Sequence, residues 1–112
     1  MNLWNNIEDD LQALDEAQSD FKAAGNKLAK AEVAYQIAKN RRALELKNAG
    51  QPATIIQLTI KGDKDVAPKL LKRECAQVDY DTSKELVNVL KKRIDTYREQ
   101  LSREWNYNGK GM

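Results

Sequence analysis

Ile7, Leu14, Phe21, Leu28 and Tyr35 recur every seven residues, and Ala17, Ala24, Ala31 and Ala38 stand three places beyond the last four of them. A large apolar residue at one seam position and alanine at the other, held over about four heptads, is the pattern of a helix that packs along one stripe. A strict seven-residue period implies left-handed supercoiling. The alanines admit a close partner, and an antiparallel partner can set large residues against small ones. This pattern predicts one long helix over 3–49, stopped by Gly50 and Pro52: glycine suits the left-handed position after a helix, and proline cannot extend one. Gly25 falls inside that span at a cost of about 1 kcal/mol relative to alanine, which points to a kink or a close contact.

The return helix is expected over 65–105. Asp63 or Asp65 is placed to cap it, with Pro68 in its tolerant first turn. Leu71, Cys75, Val78 and Thr82 step by four, three and four, and Leu86, Val87, Leu90, Ile94, Tyr97, Leu101 and Trp105 carry the apolar face onward. Between the long helices, Ile56, Leu58 and Ile60 alternate with polar residues as a strand would. No second strand is available to pair with them, and Pro52 suits a first helical position. A short helix over 53–61 is therefore expected, the alternative being a strand paired across a dimer. Residues 106–112, with two glycines, are expected to form a disordered tail.

These expectations describe an all-α fold with a single domain over 1–112, a long antiparallel helical hairpin resembling a coiled coil. With 32% charged residues, one Phe and two Pro among 112, the composition suits long amphipathic helices and not a β-sandwich. Val33, Ile37 and Leu44 lie off the seam of the first helix, and Val87 and Val89 broaden the second. Residues 55–60 folding back over Val33 and Ile37 would cover part of this surface. A homodimer forming a four-helix bundle would cover more.

Catalytic groups are scarce. The chain has no His and one Cys, and its glycines form neither a Walker nor a dinucleotide-binding motif. The acidic pairs Asp9-Asp10, Asp15-Glu16 and Asp79/Asp81 would need a pocket in which to converge. On amphipathic helices such residues ordinarily face water. No catalytic residue, metal site, cofactor or small-molecule substrate is expected, and the protein is read as a non-enzyme. Cys75 has no partner for an internal disulfide and is expected to be a small core residue. No apolar run reaches the ~20 residues of a membrane span, and the first residues lack signal-peptide features. A cytoplasmic location follows as the expectation.

Charge is distributed unevenly. Residues 1–25 carry six carboxylates against Lys22, a net of −5, whereas residues 39–73 carry nine cations against Glu45, Asp63 and Asp65, a net of +6. Antiparallel pairing would bring Lys91, Lys92, Arg93, Arg98 and Arg103 alongside the acidic stretch. The second group, Lys39, Arg41, Arg42, Lys47, Lys61, Lys64, Lys69, Lys72 and Arg73, has no such counterpart and forms a candidate nucleic-acid-binding tip. Arg41, Arg42, Lys69 and Lys72 are expected off the seam. No aromatic residue falls in 39–73 to stack on bases, so such binding would be weak and indifferent to sequence. An acidic protein partner is the other reading, either a host system that the module inhibits or an assembly that it scaffolds.

Three segments carry a family likeness: Ala31-x-x-Ala34-Tyr35-x-x-Ala38-Lys39; Gly50-Gln51-Pro52-Ala53-Thr54 with Lys61-Gly62-Asp63; and Leu101-Ser102-Arg103-Glu104-Trp105. Together, over nearly the whole chain, they resemble small prophage proteins of Gram-positive bacteria that have no assigned catalytic role. The resemblance implies a bacterial host cytoplasm and a place in phage DNA metabolism, for which an accessory role in replication or recombination is the expectation. It supplies no functional residues.

Overall fold

The computed structural model describes residues 2–110, and the side-chain surroundings of residues 2–107. The fold is an all-α helical hairpin: α1 (Leu3–Asn48), the short α2 (Ala53–Thr59), a 3₁₀ turn (Ile60–Gly62) and α3 (Ala67–Lys110). Asn2 caps α1, its Oδ1 accepting from the backbone N–H of Trp4 at 3.0 Å. At the other end Gly50 adopts φ +91°. Its N–H reaches the Lys47 carbonyl and that of Gln51 reaches Leu46, both at 3.0 Å. This is the Schellman closure that the Gly50 position foretold.

Contacts group the chain into two units, and both long helices run through both. Unit 1 comprises residues 1–22 and 81–112, and unit 2 comprises residues 23–80. In unit 1, Ala17, Val87 and Leu90 form a core flanked by Ala13, Leu14 and Phe21. Val87, expected on an outlying surface, therefore belongs to the seam. Asp10 is also buried here, with Oδ1 accepting from Arg93 Nη1 at 3.3 Å while Oδ2 and the nearby Asn6 Nδ2 have no partner. Arg93 is the one cation of the expected five that pairs across to the acidic stretch. Arg103 pairs within α3, with Glu99 at 3.8 Å.

In unit 2, Tyr35, Ile56, Ile60 and Val66 are buried together, with Ala43, Leu46 and Leu70 against them. The connecting segment is helical, not a strand, because Ile56 and Ile60 sit four apart and both turn inward, while Leu58 between them is 80% exposed. It seals the seam at Tyr35 and does not fold over Val33 and Ile37, which stay exposed.

Two expectations for α3 need correction. Leu71, Cys75 and Val78 are exposed, and the inward row is instead Val66, Leu70, Arg73, Ala76 and Tyr80. Gly25 lies beside this row: a Cβ there would lie 3.5 Å from the Tyr80 ring, an ordinary contact distance. The second correction concerns the tail: α3 continues through Lys110, since no helix breaker stands between Trp105 and Gly109, and residues 111–112 lie outside the described residues.

Replacing Ile60, 3% exposed, with alanine should lower unfolding free energy by about 2–5 kcal/mol, whereas Leu58→Ala should cost under about 0.5 kcal/mol, both read by urea denaturation. Equal costs would mean that α2 docks by another face. Gly25→Ala should stabilise by about 0.5–1 kcal/mol, because the new methyl meets Tyr80 at ordinary contact distance while the helix loses a flexible residue.

Candidate anion-binding face

All nine cations singled out in the sequence belong to unit 2, but the structure divides them by what they touch. Arg42 is anchored. Its Nε donates to Asp63 Oδ2 at 2.8 Å and its Nη1 to Glu45 Oε2 at 3.1 Å, so it ties α1 to the turn before α3. Asp63 Oδ1 in turn accepts from the Asp65 N–H at 2.9 Å, closing a side-chain turn at the approach to α3. Arg73 is anchored likewise, with Nε on Glu32 and Nη1 on Glu74 at 2.6 Å. Lys39 lies 5.8 Å over the Tyr35 ring. The two arginines tie the hairpin together, and all three offer little to a ligand. Arg41, Lys47, Lys61, Lys64, Lys69 and Lys72 are exposed and make no ion pair among the described residues.

The structure also supplies two cations that the sequence reading missed. A groove of about 550 Å³ in unit 2 has a floor of small residues, Ala23, Ala31 and Ala34, and is lined by Lys27, Lys30 and Lys72 with Asn26. No carboxylate lines it. Lys27 and Lys30 escaped notice because they fall before the basic run of 39–73. A signal was present: Lys27 and Arg41 are two heptads apart, so they occupy the same edge of α1, and Lys30 is one turn from Lys27. Lys69 and Lys72 are likewise one turn apart on α3. Lysine is a compact charge on a flexible stem, so a group of this kind suits phosphate oxygens without imposing bidentate geometry. The alanine floor allows a backbone to come close.

Unit 2 as a whole carries eleven cations against six carboxylates, a net of +5, and unit 1 a net of −3. Unit 1 has its own groove of about 580 Å³ between Trp4, Leu11, Leu101 and Trp105. Its one cation, Arg98, is offset by Glu104, so it has no anion-binding character. Among the described residues no group of His, Cys, Asp or Glu could hold a metal ion, and no helix is long and apolar enough to cross a membrane. Cys75 is an exposed free thiol and not the core residue expected.

The anchoring pairs make unit 2 sensitive to acid. Hydrogen bonds from Arg42 first, and from the Asp65 N–H second, hold the Asp63 carboxyl below its ordinary 3.8. Gln36 and then Arg73 hold Glu32 below its ordinary 4.5. Carboxyls depressed in the folded state contribute stability that is present above their ordinary values and is lost as pH falls through the folded ones. The urea midpoint should therefore drop between about pH 5 and pH 3, and Asp63→Asn should flatten that decline while lowering stability at neutral pH. An unchanged acid limb would show that the Arg42 contact does not persist in solution. No protein-family model, curated protein or solved structure matches this chain.

Proposed function

We propose that this protein is a non-enzymatic helical module that grips the phosphate backbone of nucleic acid with unit 2, as an accessory to phage-type DNA replication or recombination. The observation that carries the reading is the groove lined by Lys27, Lys30 and Lys72, free of carboxylates along its lining. Arg41 and Lys69 extend the same charge, and none of these five is committed to an ion pair among the described residues. Neutralised phosphates release counterions, which supplies affinity without base contacts. No aromatic lines the groove, and Tyr35, buried with Lys39 over its ring, cannot stack on a base, so recognition is indifferent to sequence. The phage setting rests on the resemblance of the three segments quoted above.

A protein-binding module is the second reading, favoured by Leu71 at 66% and Val78 at 62% exposure in the same unit as the basic groove. Aliphatics of this kind contribute nothing to phosphate binding, and an acidic partner with an apolar face would use both.

Binding of fluorescent single- and double-stranded oligonucleotides should weaken steeply with salt, with a log–log slope near −0.9 per phosphate contacted on duplex and about −0.7 on single strands. Replacing Lys27, Arg41, Lys69 and Lys72 together with Glu should abolish binding while helicity survives, since all four are exposed and unpaired. Replacing Lys91 and Lys92, which belong to unit 1, should matter less. Absence of binding to any DNA or RNA at low salt would reject the reading. Capture of a single acidic protein, lost in the fourfold variant, would favour the second.

A further inference from the structure

The groove of unit 1 is open and apolar, about 580 Å³, with Trp4 and Leu11 contributed by α1 and Arg98, Leu101, Glu104 and Trp105 by α3. Both tryptophans of the chain line it, Trp4 at 56% and Trp105 at 76% exposure, and Leu11 is 41% exposed. Rings of this size ordinarily dominate the burial in a core or an interface, and a cluster of them left in water marks a contact surface. The charges on the lining are one of each sign. Arg98 and Glu104 are exposed, and neither has an ion-pair partner within the chain among the described residues. They stand three places before and three places after Leu101 on α3.

We infer that this groove is closed by the same groove of a second copy, in a two-fold dimer whose α3 helices cross antiparallel at Leu101. A two-fold axis there sets each residue opposite the one equally far beyond Leu101, so Arg98 of each copy faces Glu104 of the other and the pair is made twice. Leu101 meets its own symmetry mate, and the indoles of Trp4 and Trp105 are closed in between the copies. The occupant is a second copy because the lining complements itself. A partner with an acidic face would meet Glu104, and one with a basic face would meet Arg98, whereas antiparallel self-pairing satisfies both. Four indoles of about 150–250 Å² each, more than half exposed, supply on the order of 500 Å² of contact. The leucines and the stems of the charged residues bring the total toward about 1,000 Å², the size of a weak, concentration-dependent interface. Unit 1 carries a net charge of −3, so the rings supply the affinity and the ion pairs set the register. Every residue involved belongs to unit 1, so the inference does not rest on the lysine groove of unit 2 or on nucleic-acid binding.

The experiment is sedimentation equilibrium on the full chain, with tryptophan fluorescence read on the same dilution series. Wild type should pass from the 12.8 kDa chain mass to twice that value as concentration rises. Its emission should shift to the blue over the same range, since both tryptophans enter the contact. Arg98→Glu or Glu104→Arg alone sets like charges opposite each other twice and should raise the dimer dissociation constant at least about tenfold. The double variant Arg98→Glu/Glu104→Arg exchanges the signs and keeps the pairing, so it should dimerise as wild type does. Trp105→Ala should also weaken the dimer at least about tenfold, with circular dichroism unchanged because the ring is 76% exposed. A wild type of 12.8 kDa at every concentration, a mass that grows beyond two chains, a double variant no better associated than the single ones, or a dimer indifferent to Trp105→Ala would each overturn the proposal.

Discussion

Two helices packed side by side can bury one stripe of each, and the properties of this chain follow from that geometric limit. The heptad row of α1 supplies one stripe, with alanine at every second seam position, so the helices approach closely and little volume is enclosed. The buried set is correspondingly small: Ile7, Ala17, Ala31 and Tyr35 on α1, Val66 just before α3, and Ala76, Val87, Leu90 and Ile94 on α3. Burial on this scale leaves aliphatics outside by necessity. Val33, Ile37, Leu44, Leu71 and Val78 are exposed because no element of the chain lies over them, not because they are misplaced.

The seam of alanines carries a second consequence, which is that it specifies register poorly. Alanine fits against almost any neighbour, and a slip by one heptad would restore much of the same packing. Particular pairs remove that freedom. In unit 2, Gly25 meets Tyr80, Glu32 meets Arg73 and Arg42 meets Asp63, and in each pair the residue numbers add to the same total, as a single antiparallel register requires. In unit 1 the buried Asp10 and its contact with Arg93 do the same work. A carboxylate with one oxygen unpaired costs stability, and a slipped register would bury it with none of its bonds made.

The α1 seam was legible because large residues at a strict period of seven admit one reading. The connecting helix was legible from Pro52 and the lack of a partner strand. On α3 the sequence misled, and the reason is physical. Leu71, Cys75, Val78 and Thr82 form the more apolar row, so periodicity selects it. The competing row, with Arg73 and Tyr80, wins because its members meet partners on α1, Glu32 at the guanidinium and Gly25 beside the ring. Neither fact belongs to α3 itself. Periodicity ranks the faces of one helix, but the partner decides among them.

The same dependence on the partner governs the charges. A count along the chain finds nine cations in 39–73, and it cannot separate those that build the unit from those left to act outside it. Arg42 and Arg73 became structural because carboxylates stand across the hairpin from them, and Lys39 because a tyrosine ring lies beneath it. Each arginine pairing offsets a charge and ties α1 to the chain across the hairpin. Three of the unpaired cations, Lys27, Lys30 and Lys72, fall where α1 and α3 place lysine beside alanine. That juxtaposition produces a basic groove from residues as far apart in sequence as Lys27 and Lys72. The groove's small residues, Ala23, Ala31 and Ala34, bring no charge of their own, so nothing in its lining offsets the three lysines.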